Sequence, residues 1–157
     1  MKNTPINTLL GRHACDWFLE GLGTVSTDLL LVRVVAAQRI EKPEFLTVME
    51  GVRPLGPLQP VRPGPGSRRA QITFADVMLF QVVDEWSTLP KPDEVSGAPL
   101  AVISPSSFME HAKQTYPPLE LRATGEMVHY QLVTEDAAID VLATSAPVVE
   151  ELERVPS

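Results

Sequence analysis

The sequence predicts an α+β fold, mainly antiparallel β, arranged as a sandwich or curved sheet with one or two short helices. Three observations lead there. Apolar runs are short, rich in β-branched residues and separated by turn material, as strands are. The 15 prolines among 157 residues are about twice the ordinary share and cut most helical stretches short. No pair of strand-like runs is joined by a helix long enough for a parallel crossover, which leaves antiparallel pairing.

Taken in order, Thr4-Pro5 has the form of a helix start. Thr4 would be the N-cap, and Ile6, Leu9, Leu10, His13 and Trp17 recur at helical spacing, so a helix over Pro5 to Leu19 is expected. The competing reading breaks at Gly11 and makes Asp16 to Leu22 a strand. Leu29 to Gln38, LLLVRVVAAQ, is a strand by its β-branched content, and Phe45 to Met49 is a shorter candidate. From about 51 to 67 a proline-rich loop follows. Its prolines at 54, 57, 60 and 63 keep the spacing of a polyproline II segment, and Pro57 to Arg62, PLQPVR, has the form of a ligand for aromatic-lined grooves.

Gln71 to Glu85, QITFADVMLFQVVDE, is the run around which the rest is organised. Ile72, Phe74, Met78, Phe80 and Val82 alternate with Ala75, Val77, Leu79 and Val83, so both faces of an extended strand are apolar. Phe80 is the expected core anchor. Fifteen extended residues would span about 50 Å, beyond an ordinary strand, so a bend or bulge is expected at Asp76. Trp86 to Pro99 reads as loop and Leu100 to Ile103 as a short buried strand. Ser107, three residues before Glu110, forms a capping box for a two-turn helix that Tyr116-Pro117-Pro118 stops. Glu126 to Val133 and Ile139 to Ala143 are two strands of a hairpin, and Pro147 to Val155 closes the chain as a short strand or a frayed tail.

Length and composition suit one globular domain with a real core. The lone Cys15 has no partner for an internal disulfide, the first residues lack the apolar segment of a secretory signal, and the aliphatic run Leu29 to Val32 is too short to cross a bilayer. A cytoplasmic protein without membrane association is expected. A net charge of −7 disfavours nucleic acid, and the charge is segregated. Residues 51 to 75 hold Arg53, Arg62, Arg68 and Arg69 and no acid, whereas from Thr134 onward six acids face one base. These four arginines are the candidate binding residues. The basic stretch and the acidic tail can pair with each other or with another protein, or stand as two solvated surfaces.

No catalytic constellation emerges, and neither a cofactor nor a metal is expected. His13, Cys15 and Asp16 are the one local group of metal-capable side chains and lack paired ligands at short spacing. A dyad of Ser107 and His111, one turn apart, can be drawn, but the helix start already accounts for Ser107 and no Gly-x-Ser-x-Gly elbow is present. Asp84 and Glu85 beside Trp86 read as a solvated strand end. Asp76 reads as a bulge residue or rim carboxylate. The glycine-dense PGPGS has prolines where a phosphate cradle needs backbone donors.

The alternation RRAQITFADVMLFQVVDE, followed by VHYQLVTEDAAIDVLA, resembles a pattern in small bacterial β-rich proteins, some with the character of toxin-immunity or accessory proteins. It covers residues 68–85 and 128–143 and carries over no active-site residue. What it implies is a cytoplasmic bacterial protein whose work is binding. Two functions follow as expectations: a non-enzymatic protein-binding or accessory protein, and, as the alternative, a small-ligand pocket or enzyme built near Cys15, His111, His129 and the end of the Gln71 to Glu85 run. Convergent polar side chains in a deep cleft would favour the alternative.

Overall fold

The computed structural model describes residues 2–6, 9–39, 42–47, 49–58, 61–84 and 97–157. Its strands are β1 (Lys2–Pro5), β2 (Trp17–Ser26), β3 (Leu29–Ala36), β4 (Gln38–Arg39), β5 (Glu44–Leu46), β6 (Leu55–Leu58), β7 (Val61–Arg62), β8 (Arg69–Phe74), β9 (Val77–Asp84), β10 (Leu100–Ser104), β11 (Val128–Val133), β12 (Ala137–Ala143) and β13 (Val148–Leu152). Two short helices, α1 (Ser107–Thr115) and α2 (Pro118–Arg122), lie between β10 and β11. Every ladder is antiparallel. A five-stranded sheet runs β1-β10-β11-β12-β9 and a four-stranded sheet runs β13-β8-β3-β2, with the pairs β4-β7 and β5-β6 outside them.

The two large sheets share one core because alternate residues of each strand are apolar. Leu30, Val32 and Val34 on β3 and Ala70, Ile72 and Phe74 on β8 face Tyr130 and Leu132 on β11 and Ile139 and Val141 on β12. All of these are buried. Each large aliphatic or aromatic side chain among them contributes roughly 1.5–3 kcal/mol by leaving water. Phe74 and Tyr130 meet across the sandwich with ring centroids 6.3 Å apart and planes tilted by 51°.

The Gln71 to Glu85 run supplies both sheets. The bend expected at Asp76 is present, and it is a corner rather than a bulge: β8 ends at Phe74, Asp76 takes φ 52°, and β9 starts at Val77 in the other sheet. Left-handed φ suits Asp better than a β-branched residue. The corner is tied down by Val77 N donating to Asp28 O at 3.0 Å and Thr144 N donating to Asp76 O at 3.2 Å. The Ser145 hydroxyl donates to the Asp76 carboxylate. Because β9 is an edge strand, Phe80 is only half-buried against the core, and Phe74 takes the anchor position expected of it.

Three expectations are corrected. The helix over Pro5 to Leu19 does not form. Lys2–Pro5 is an edge strand against β10, where the missing N–H of proline is tolerated, Gly11 takes φ 76°, and a single 3₁₀ turn at Ala14–Asp16 leads into β2. Trp17 is buried there, its indole N–H donating to Leu10 O at 2.7 Å, while Leu9 is exposed. The prolines after Tyr116 stop α1 but then start α2, with proline in its first turn. The proline-rich stretch is more than loop, since β6 and β7 pair with β5 and β4. The Pro57 to Arg62 groove-ligand reading includes residues 59 and 60, which lie outside the described residues. So do Glu85, Trp86 and the Cys15 side chain.

Candidate functional site

Strand parity and register build the site. On β11 and β12 the residues facing away from the sandwich core are His129 and Gln131, and Asp140 and Leu142. The register sets Gln131 opposite Asp140, and Asp140 opposite Gln81 on β9, so three polar side chains form a row across three neighbouring strands. α1 and α2 cover the apolar part of this face, packing Ala112 and Leu119 on Leu142 with Leu79, Phe108 and Met109 around them. The polar row stays beside the start of α1.

Asp140 is the hub. Its carboxylate accepts from Gln81 Nε2 at 2.9 Å, Gln131 Nε2 at 3.0 Å and His129 Nε2 at 2.8 Å. The other ring nitrogen of His129, Nδ1, lies 2.7 Å from Ser106 Oγ, and that oxygen accepts from Met109 N at 2.9 Å as the N-cap of α1. The His129 ring bridges Asp140 and Ser106, its Nε2–H directed at the carboxylate and its Nδ1 sharing a hydrogen bond with the Ser106 hydroxyl. Ser106, His129 and Asp140 are all buried, at 7%, 4% and 7% exposure. Burial alone would raise the Asp140 pKa, but it is outweighed by hydrogen bonds from His129 and Gln81, the attraction of His129 and the Gln131 bond. The carboxyl is held below its ordinary value.

A cleft of about 380 Å³ opens over this row. Gln81, His129, Gln131 and Asp140 supply its polar floor, Ile103 and Phe108 its apolar walls, and Ser107 and His111 its rim. The Phe108 ring lies 5.2 Å from that of His129. Serine, histidine and aspartate connected in series have the connectivity of a hydrolase triad. Accessibility is what they lack: Ser106 is outside the cleft lining, and its oxygen is engaged on both sides. Here the series fastens α1 to the sheet and fixes Asp140.

The residues singled out from sequence are distributed differently. The cap of α1 is Ser106, not Ser107, which puts Met109 rather than Glu110 three residues on, so Ser106 caps without the reciprocal acid of a capping box. Ser107 and His111 share the cleft rim without forming a dyad, and His111 Nε2 lies 3.4 Å from Thr115 Oγ1. Arg62 pairs with Glu44 at 3.1 Å, Arg68 with Glu151 at 3.1 Å and Arg69 with Glu20 at 2.9 Å, while Arg53 is exposed just after a turn. The basic stretch and the acidic tail therefore meet within the chain at Arg68 and Glu151. Among the described residues no three His, Cys, Asp or Glu side chains gather as a metal group. Nor is any helix among them long and apolar enough to cross a membrane.

Asp140, Gln81 and Gln131 escaped the sequence reading, and Ser106 stood there in a cluster with Ser104, Ser107 and His111 but not as the cap of α1 or the neighbour of His129. Their signal was present in part. His129, Gln131 and Asp140 are polar residues inside otherwise apolar strands, and a hairpin closing at Thr134 to Asp136 sets 131 opposite 140. Nothing local announces Gln81 or Ser106 as their neighbours. Comparison of the chain with protein-family models, with curated proteins and with solved structures finds no match.

Proposed function

We propose that this chain binds a small polar group, free or carried by a partner protein, in the cleft between α1 and the five-stranded sheet, the small-ligand pocket expected as the alternative. The observation that carries the reading is the convergence of Asp140, Gln81 and Gln131 on the floor of a partly enclosed cleft with Ile103 and Phe108 as walls. A few oriented polar groups set among apolar walls are the usual composition of a ligand site. The floor is rigid, since each polar side chain is held by another and the row rests on paired strands. A bacterial accessory or immunity-like role is the form such binding takes under the strand-pattern resemblance.

The test is amide and side-chain NMR of the protein titrated with a panel of small amides, amines, polyols and carboxylates at millimolar concentration. At least one class should shift Gln81, Ser107, His111 and Gln131 together. A panel that leaves all four unmoved overturns the reading. Treatment with a serine-directed fluorophosphonate should leave Ser106 unlabelled, whereas labelling would turn the assignment towards a hydrolase.

A further inference from the structure

We propose that the group accepted by this cleft is a guanidinium, brought by a small guanidino compound or by an arginine side chain of a partner protein. The proposal rests on the cleft being a ligand site, as argued above. Its starting point is the charge on the cleft floor. Asp140 is enclosed, two of its three donors are neutral amide N–H groups, its one basic partner is the His129 ring, and among the described residues no lysine or arginine forms an ion pair with it. Enclosed carboxylates are ordinarily paired with a cation, because leaving water costs a charge more than neutral hydrogen bonds return. Asp140 lines the cleft in which a ligand would sit.

The hydrogen-bonding pattern points the same way. Gln81 and Gln131 each direct an N–H at Asp140, and among the described residues no donor reaches either side-chain carbonyl oxygen. The floor therefore offers two amide oxygens and a carboxylate, and it calls for a ligand rich in donors. An anion has no comparable place, since the N-terminus of α1 is already capped by Ser106. Between the two common organic cations the walls decide. Phe108 and Ile103 offer apolar surface to a flat group. A guanidinium is planar, weakly hydrated, able to lie against an aromatic face and able to donate to several acceptors in its own plane, whereas an ammonium is compact and strongly hydrated.

The experiment is a calorimetric and NMR titration with methylguanidine, methylamine and urea, repeated with Asp140→Asn and Gln81→Lys. Asp140→Asn removes the charge and nearly preserves the shape. Gln81→Lys, at an exposed strand position, places a cation of the chain's own beside Asp140. Methylguanidinium should bind more tightly than methylammonium, and urea, its flat neutral counterpart, should not bind. Each variant should weaken methylguanidinium at least about tenfold, as loss of a close charge pair does. If Asp140→Asn fails to unfold cooperatively, Gln81→Lys alone decides. A capped arginine amide that binds more tightly than methylguanidine identifies a protein side chain as the source, and the reverse order identifies a small compound. Equal affinity for wild type and Gln81→Lys overturns the proposal. So does a cleft that responds to neutral polar fragments and not to methylguanidinium, while leaving the ligand site itself standing; silence towards every compound removes both.

Discussion

At Ser106 two interactions meet on one hydroxyl, which caps α1 at Met109 N and holds His129 Nδ1. Ser106→Ala loses a cap worth about 1 kcal/mol and leaves a buried ring nitrogen without a partner at about 1–3 kcal/mol, so a total loss of about 2–4 kcal/mol is expected in urea denaturation. Ser107→Ala, one residue on and exposed, should stay within about 0.5 kcal/mol. Equal effects would return the cap to Ser107. Asp140 adds a dependence on pH. Its folded pKa lies below the unfolded one, so its contribution is complete above the unfolded value near 3.9 and disappears as pH falls through the folded value. The denaturation midpoint should therefore drop below about pH 4 in the wild type and drop less in Asp140→Asn, which carries no titrating group. Parallel pH profiles for the two proteins would show that the shift is not coupled to folding.

Among the elements, the corner between β8 and β9 divides one hydrophobic run into two different burial problems. Phe74 is fully buried at 0% exposure, whereas Phe80 sits on an edge strand and is half-buried. Phe74→Ala should cost about 3–5 kcal/mol and Phe80→Ala distinctly less, a ranking that chemical denaturation reads directly. The corner residue has its own requirement. Asp76→Val places a β-branched side chain at positive φ and removes the bond from Ser145, for an expected loss of about 1–3 kcal/mol. Asp76→Gly relieves the backbone and forfeits only the bond, so it should be milder. A milder Val than Gly would contradict the left-handed corner.

Over the whole molecule, the two large sheets and their common core form the framework, and the β4-β7 and β5-β6 pairs sit outside it. Replacing residues 55–62 with a Gly/Ser linker of equal length removes those pairs and no strand of either large sheet. Cooperative unfolding should persist, with a smaller loss than Phe74→Ala produces. A chain that fails to fold would show that the two small ladders support the core. The exposed Phe45, Met49, Val52 and Val61 belong to this same region, in keeping with its place at the periphery.

β3 and the strands from β8 onward were legible because period-two alternation is a local property: a residue and its second neighbour face the same way whatever the strand pairs with. For that reason Leu29 to Gln38, Leu100 to Ile103 and the hairpin after Glu126 match their strands within a few residues. At the N-terminus the signal failed. Ile6 to Trp17 carry a helical spacing, and Gly11, the pairing of Pro5 with Ala101 and the burial of Trp17 override it. The candidate site depended on contacts that no local pattern contains. Ser106 meets His129 across 23 residues and Gln81 meets Asp140 across 59, and only register and the corner at Asp76 bring them to one face. Composition and alternation by themselves determined an antiparallel β-rich chain with short helices. Tertiary structure decided which polar residues share a surface, because the pairing of distant strands sets one residue opposite another.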